Sequence, residues 1–527
     1  MPLNNARKFS SYFTDIRIVG LIALALSIIA TTYSYFHGYI LAYGDAESHI
    51  DIAKRVINGL QPGFGQLGGI WLPLNHLLML PFVWNDFLWR SGLAGSFVSM
   101  AAYILAVIYV FKLTSELTLS RFGSFAAAAI FGLNPGILYM QSTPMSELPL
   151  IAAMVVSIYY LHAWVRYQQL SALILAAIFC TAGTLIRYDA WSLAAAEVMV
   201  VVLLGAYKRW RWSRIEGTTI LFGTVALSGI VLWIGWSLAI FKQPAYFLAS
   251  QYSAKSQQQG FAARGELVTA HDFGKSLLFY GDAVWENAGA VFSVVALLGL
   301  VIFIVTSVKR RSDRPLILPG LMLLVPFAFN VLTLYLGISI LFLPALVPHN
   351  FEWQIFNARY GLLMVPTVAI FAAYALSKIK PQPAAAAGLI VALPLMFASQ
   401  PIALEDGLTG LSARRLLPAN SYVAQNYDFG NIVFDDFSRA ANPIALNIPI
   451  QKIIYVGYGD AYQRAVTHPA SIVRWIIVRR ADTDAYWTAV KDNPEFKNNY
   501  EIAYVNGDSA VYRQRDASQA NAGKVQP

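Results

Sequence analysis

YGDAESHIDIAKRVINGLQPGFGQLGGIWLPLNHLLMLPF, residues 43–82, follows the first long apolar segment, and its reading decides the fold. Asp45, Glu47, His49 and Asp51 fall within seven residues. A helix starting near Asp45 places Asp45 and His49 at i and i+4 on one face, with Glu47 and Asp51 on another. Ile50, Ala53, Val56, Ile57 and Leu60 then form the apolar stripe of a short amphipathic helix expected on a membrane surface. Clustered ionisable groups beside a bilayer are costly and mark function. Solvation and helix capping are the plainer roles for such acids. Residues 71–84 (WLPLNHLLMLPFVW) are short for a span and carry Pro73, Asn75, His76 and Pro81, which suits a second surface or re-entrant helix. The glycines at 63, 65, 68 and 69 form a flexible connection. No strand precedes them and no Gly-Lys-Ser/Thr follows, so they are not a phosphate-cradling loop.

The surroundings of this stretch are lipid-like. The chain has 527 residues, of which 57% are hydrophobic and only 13% charged, against about 25% charged in soluble proteins. Mean hydropathy is +0.52. Apolar segments at 18–36, 92–113, 122–140, 148–165, 170–186, 191–207, 218–241, 290–308, 316–343, 360–376 and 384–399 predict about eleven spans. The net charge of +9 sits in short loops, notably Lys208, Arg209, Arg211 and Arg214, and Lys309, Arg310, Arg311 and Arg314. That is the positive-inside pattern of cytoplasmic loops rather than a nucleic-acid surface. The single cysteine, Cys180, excludes a disulfide framework.

With Arg7, Lys8 and Arg17 at a cytoplasmic N-terminus, every short basic loop falls on the inner side. The opening loop (39–90), the turn around Arg187, Tyr188 and Asp189, the loop 242–275 and residues 349–359 then face outward. A multi-pass protein of the plasma (inner) membrane is expected. After residue 399 scattered charge and short β-rich runs at 432–434, 453–456, 475–478 and 500–505 predict a small extracytoplasmic α/β domain over 400–515. Asn506-Gly507 is its hairpin turn. Residues 516–527 read as a disordered tail. Asp435, Asp436, Asp460 and His468 read as ordinary strand-end and turn residues.

These parts resemble the GT-C membrane glycosyltransferases, in particular the branch of protein O-mannosyltransferases and aminoarabinose transferases. The resemblance rests on Asp45-Ala46-Glu47 after the first span, on Leu72-Pro73-Leu74-Asn75-His76-Leu77-Leu78, and on Asn357-Ala358-Arg359-Tyr360 entering a late span. It implies an all-α polytopic domain over 1–399, a catalytic acid in the first outer loop, and a polyprenyl- or dolichyl-phosphate sugar donor. The acceptor would be a hydroxyl of protein, lipid or glycan. Chemistry asks for the same parts. A base must reach the acceptor proton, cationic donors must meet the leaving phosphate, and a carboxylate helps developing oxocarbenium charge. Asp45 is the candidate base, with Glu47 or His49 orienting it. Arg359 or Arg187 would meet phosphate, with Tyr360 beside the sugar or lipid and Glu147 and Asp189 completing the pocket. The resemblance implies no required cofactor; were a divalent metal held, Asp45 and His49 would supply it with ligands.

Two other classes share a many-span plan. A lipid-linked glycan ligase or polymerase carries its catalytic residues in a large late loop. A flippase or transporter of lipid-linked sugars places polar groups at mid-membrane depth in both halves, and no paired broken helices or internal repeat appear here.

Overall fold

The computed structural model describes residues 2–250, 253–435 and 440–515, with side chains from Tyr12 onward. The expected tail at 516–527, and Asp436, lie outside the described residues. The chain forms two compact units, one of Met1–Ala46, Gly69–Leu78 and Ser91–Ala413, the other of Glu47–Gly68, Met79–Arg90 and Arg414–Pro527. The first loop is therefore divided between them, and residues 400–413 fold with the membrane unit instead of with the C-terminal sheet.

The first unit is helical and built to span lipid. Among the described residues seven helices are long and apolar enough to cross a membrane, or eight if the pair Trp212–Ala226 and Ser228–Phe241, bent by 46°, is one span. Eleven thus counts apolar segments rather than helices of crossing length. Leu170–Thr184 and Gln382–Leu395 have 15 and 14 residues, and at about 1.5 Å per residue fall short of a hydrocarbon core about 30 Å thick. The expected span at 122–140 breaks in two because Asn134 caps a new helix through Ile137 N at 3.0 Å, with Pro135 at its first position. The bend at Leu227 follows from the Val225 carbonyl, which accepts from the hydroxyls of Thr181 (2.5 Å) and Ser228 (2.7 Å). The overlong run at 316–343 resolves into one helical span, Arg314–Tyr335.

The second unit holds a five-stranded sheet in the order β2-β1-β3-β5-β4: β1 (Ile432–Val433), β2 (Ile453–Ile454), β3 (Trp475–Arg479), β4 (Tyr500–Asn506) and β5 (Ser509–Gln514). β1 runs parallel to β2 and β3, and β5 is antiparallel to β3 and β4. Alternate residues feed two cores, Val433, Ile476, Val478 and Tyr512 on one face and Ile432, Trp475, Ile477 and Val511 on the other. Gly507, at φ 60°, makes the tight turn expected between β4 and β5. Asp435 Oδ2 accepts from Ala485 N at 2.9 Å, and His468 pairs with Glu495 at 3.2 Å.

The helix Gly44–Asn58 forms as expected from its periodicity. Its environment differs from the expectation. Ile50, Ala53 and Val56 are buried, and so are Glu47, His49, Asp51, Lys54 and Arg55. Lys54 pairs with Asp86 at 2.6 Å and Asp51 accepts from Trp89 Nε1 at 2.8 Å. From Glu47 onward this helix is covered by protein on both faces instead of lying on lipid. Only Leu74–Met79 is helical in the following apolar run, since the prolines at 73 and 81 bracket it.

Candidate functional site

Five segments of the first unit bring charge to one buried place. Glu147 opens the Glu147–Tyr167 helix, where a carboxylate suits the N-terminal dipole. The loop before it is clamped: the Ser142 and Thr143 carbonyls accept from Ser96 and Ser99, each at 2.7 Å, and that of Pro144 from Asn75 at 3.2 Å. Arg187 and Asp189 stand where the Leu170–Thr184 helix gives way to Asp189–Tyr207.

Arg359 lies in a 3-10 turn, Ala358–Met364, leading into the Val365–Leu376 helix. Asn357 enters this turn at φ 58°, a conformation Asn tolerates better than most residues. Asn287 then donates to the Ala358 carbonyl at 2.8 Å, and Tyr280 to the Tyr360 carbonyl at 3.1 Å. A Cβ at Gly361 would overlap the Ala283 carbonyl, so only glycine lets the turn lie against the Phe273–Ala288 helix. Gly361→Ala is expected to cost about 1–3 kcal/mol, as overpacking does, and to displace Arg359. A lowered midpoint of thermal unfolding together with weakened activity would be the result; unchanged values of both would show that the turn has room to move.

The guanidinium of Arg359 links the cluster. Its Nη2 meets Asp45 Oδ2 at 2.7 Å, its Nε meets Glu147 Oε1 at 3.1 Å, and its Nη1 stands 3.8 Å from Asp406 Oδ2. Arg187 donates to the same Glu147 oxygen at 3.0 Å and to Asp189 at 3.1 Å. Tyr360 lies between the two cations, its ring centroid 5.1 Å from the Arg187 guanidinium and 5.4 Å from that of Arg359. Tyr43 covers Arg359 at 4.7 Å and donates to the Ala403 carbonyl (2.5 Å) and Asp406 (3.2 Å). Glu147 and Asp406 side chains are fully buried and Arg359 is 4% exposed, whereas Asp45 is 35% exposed. Asp45 is the acid of this cluster that an incoming molecule can reach.

Four carboxylates (Asp45, Glu147, Asp189, Asp406) surround two guanidiniums. Burial pushes the Asp406 carboxyl up to about 6 against the pull of Arg359. Burial, then Asp406, also holds the Tyr43 phenol well above its ordinary value, so it stays a hydrogen-bond donor.

The structure thus brings Asp45, Glu147, Arg187, Asp189, Arg359 and Tyr360 together. Glu47 is engaged in the second unit: it accepts from Ile444 N at 3.2 Å and from Asn442 Nδ2, and pairs with Arg414 at 3.2 Å. His49 is likewise buried there. Among the described residues no three His, Cys, Asp or Glu side chains converge as metal ligands. Sequence reasoning missed Tyr43 and Asp406. The signal for the latter is an acid inside the apolar stretch IALEDGL, 402–408, which the composition change after residue 399 groups with the α/β domain.

No protein-family model matches the chain, and no curated protein matches it in sequence. Solved structures do match. ArnT from Cupriavidus metallidurans bound to undecaprenyl phosphate aligns over 94% of this chain and 98% of its own, at 11% identity and a TM-score of 0.56. The fold is that of the GT-C glycosyltransferases. The apo crystal structure of the same ArnT matches over 92% and 97%, at 12% identity and a TM-score of 0.50. AglB, the archaeal oligosaccharyltransferase from Archaeoglobus fulgidus in complex with an inhibitory peptide and a dolichol-phosphate, matches over 97% and 75% at 12% identity and a TM-score of 0.47. The GT-C resemblance read from Asp45, Leu72–Leu78 and Arg359 thus extends along nearly the whole chain as a likeness of fold.

Proposed function

We propose that the protein is an integral-membrane glycosyltransferase moving a sugar from a polyprenyl- or dolichyl-phosphate donor to a hydroxyl acceptor at the outer membrane face. The observation that carries this reading is Asp45, an accessible carboxylate held at 2.7 Å by an Arg359 that is itself anchored on buried Glu147. A base fixed in this way needs no reorganisation as the acceptor approaches. In the proposed step Asp45 takes the hydroxyl proton, and the acceptor oxygen bonds to the sugar's anomeric carbon. The bond from that carbon to the phosphate oxygen breaks, and polyprenyl phosphate leaves with its electron pair. Arg187, with 16% of its side chain exposed against 4% for Arg359, offers the more open edge for the phosphate. Arg359 supplies the second cation and Tyr360 a ring for the sugar or lipid. Glu147 and Asp189 hold the two guanidiniums in place. The step requires no metal or other cofactor.

Purified full-length chain given a radiolabelled polyprenyl-phosphate sugar and an acceptor tests the proposal. Release of polyprenyl phosphate with label on the acceptor is the expected result. Label crossing the bilayer without cleavage would replace the transferase with a flippase. Sidedness is tested separately by cysteine scanning, after replacement of Cys180, with an impermeant thiol reagent. Residues 400–515 should label in intact cells and residues 208–214 only in broken ones; the reverse pattern would put the site on the cytoplasmic side.

A further inference from the structure

A crevice of about 290 Å³, whose lining includes Trp164, Gln168, Leu173, Trp210, Arg214 and Leu221, is separate from the Asp45–Arg359 cluster. It opens where Glu147–Tyr167 ends, where Leu170–Thr184 begins and along the first turns of Trp212–Ala226. Its inner wall is fixed, because Trp164 and Leu173 belong to a buried apolar core and Trp210 packs on it. Arg214 lies over the Trp210 ring, 3.9 Å from the centroid, and among the described residues its guanidinium has no stronger polar contact than Gln168 Oε1 at 3.5 Å. An arginine stacked in this way is preorganised and not neutralised.

The surrounding charge is net positive, with Glu216 the one acid in residues 207–217. Among the described residues Lys208, Arg209, Arg211 and Arg214 have no carboxylate at ion-pair distance, whereas Arg121, Arg166 and Arg310 in other loops do. Lys208 is held below its ordinary value by burial and then by the like charge of Arg214. Tyr207 and Trp212, 55% and 73% exposed, stand at the end of one apolar helix and the start of the next, on either side of Lys208–Arg211; large aromatics left outward at the end of a span mark headgroup level. A polar, cationic mouth over an apolar floor matches a lipid with a charged head and a hydrocarbon tail.

We propose that this crevice binds one anionic phospholipid, its phosphate on Arg214 and an acyl chain along Leu173 and Leu221. Each cation near a membrane surface favours an anionic headgroup by about fivefold, so four unpaired ones select phosphatidylglycerol over phosphatidylcholine, whose head brings its own cation.

Native mass spectrometry of the full-length chain with equimolar phosphatidylglycerol and phosphatidylcholine tests this. Phosphatidylglycerol should be retained preferentially, and Arg214→Gln should cut that preference about fivefold. Arg310→Gln, in another loop, should leave it unchanged. Gly217 borders the crevice with open space where a Cβ would stand. Gly217→Leu therefore fills the crevice while favouring the helix, and should also abolish the preference with all four cations intact. Equal retention of the two lipids, or a preference that survives both Arg214→Gln and Gly217→Leu, would overturn the proposal. Displacement by inorganic phosphate alone would reduce the site to a simple anion site, and preferential displacement by undecaprenyl phosphate would make it a second donor-lipid site. Either outcome rejects the phospholipid. The result is independent of whether the Asp45 site transfers sugar.

Discussion

Asp45→Asn is expected to lower transfer about 10²–10⁴-fold, the usual cost of removing a general base, while leaving the protein folded and able to bind donor. The substitution keeps volume and one oxygen for the 2.7 Å contact with Arg359, so positioning persists and only proton acceptance is lost. Because Asp45 is 35% exposed, its neutralisation leaves no buried charge orphaned beyond what Glu147 and Asp406 already balance on Arg359. Single-turnover transfer and donor binding should be measured on the same preparation. Near-normal turnover by Asp45→Asn would transfer the role of base to another acid. Glu47→Gln is the informative companion. Glu47 is tied to Arg414, Asn442 and Ile444, so its loss should lower the stability of the second unit more than the rate of the chemical step.

The second large effect concerns Arg359. Removing one partner of a buried ion pair costs about 3–5 kcal/mol, because the other charge is left behind in a poor solvent. Arg359→Ala leaves fully buried Glu147 with Arg187 alone, and Asp406 with the Tyr43 hydroxyl. A large fall in the unfolding midpoint and loss of activity are expected together. The cause can be separated from a general packing defect. Adding Asp406→Asn to Arg359→Ala removes the charge left without a cation and should recover part of the midpoint without recovering activity. Arg359→Lys is the finer probe. A lysine offers one ammonium, whereas the guanidinium meets Asp45 through Nη2 and Glu147 through Nε, a fork that lysine cannot reproduce. Arg359→Lys should therefore fold and lose rate, and Arg187→Lys should weaken donor binding more than rate. If Arg359→Lys kept full rate while Arg187→Lys lost it, the arginine after the Leu170–Thr184 helix would be the one that governs chemistry.

Much of the fold was legible because the solvent writes it into composition. Low charge density and long apolar runs have one physical solution in lipid, helices with internally satisfied backbones, and 18–36, 92–113, 148–165 and 290–308 read directly as such. Short apolar β-rich runs located the neighbourhoods of four strands, and Asn506-Gly507 the hairpin that leads to the fifth, for an equally local reason. Where the reading fell short, the deciding forces were not local. Hydropathy cannot see that Asn134 starts a new helix or that Thr181, far along the chain, takes the Val225 carbonyl and bends a span. The amphipathic stripe of Gly44–Asn58 was visible, but whether lipid or protein covers it depends on residues such as Trp89 and Asp86, which arrive through tertiary packing.

The site divides in the same way. Residue type and setting singled out Asp45, Glu47, His49, Glu147, Arg187, Asp189, Arg359 and Tyr360, since ionisable groups at the ends of apolar helices are rare and costly. The sequence by itself therefore determined a polytopic membrane protein, its α/β second unit, and the charged residues available for chemistry. Only the tertiary structure decided which of these charges meet. Ion pairing acts over a few ångströms between residues hundreds of positions apart, as Arg359 does with Asp45 and Glu147. Glu47, two residues from Asp45 and equally acidic, is committed to Arg414 because successive helix positions point in different directions. Asp406 enters the cluster because Ile402–Thr409 folds with the membrane unit, a choice that no local pattern in IALEDGL records.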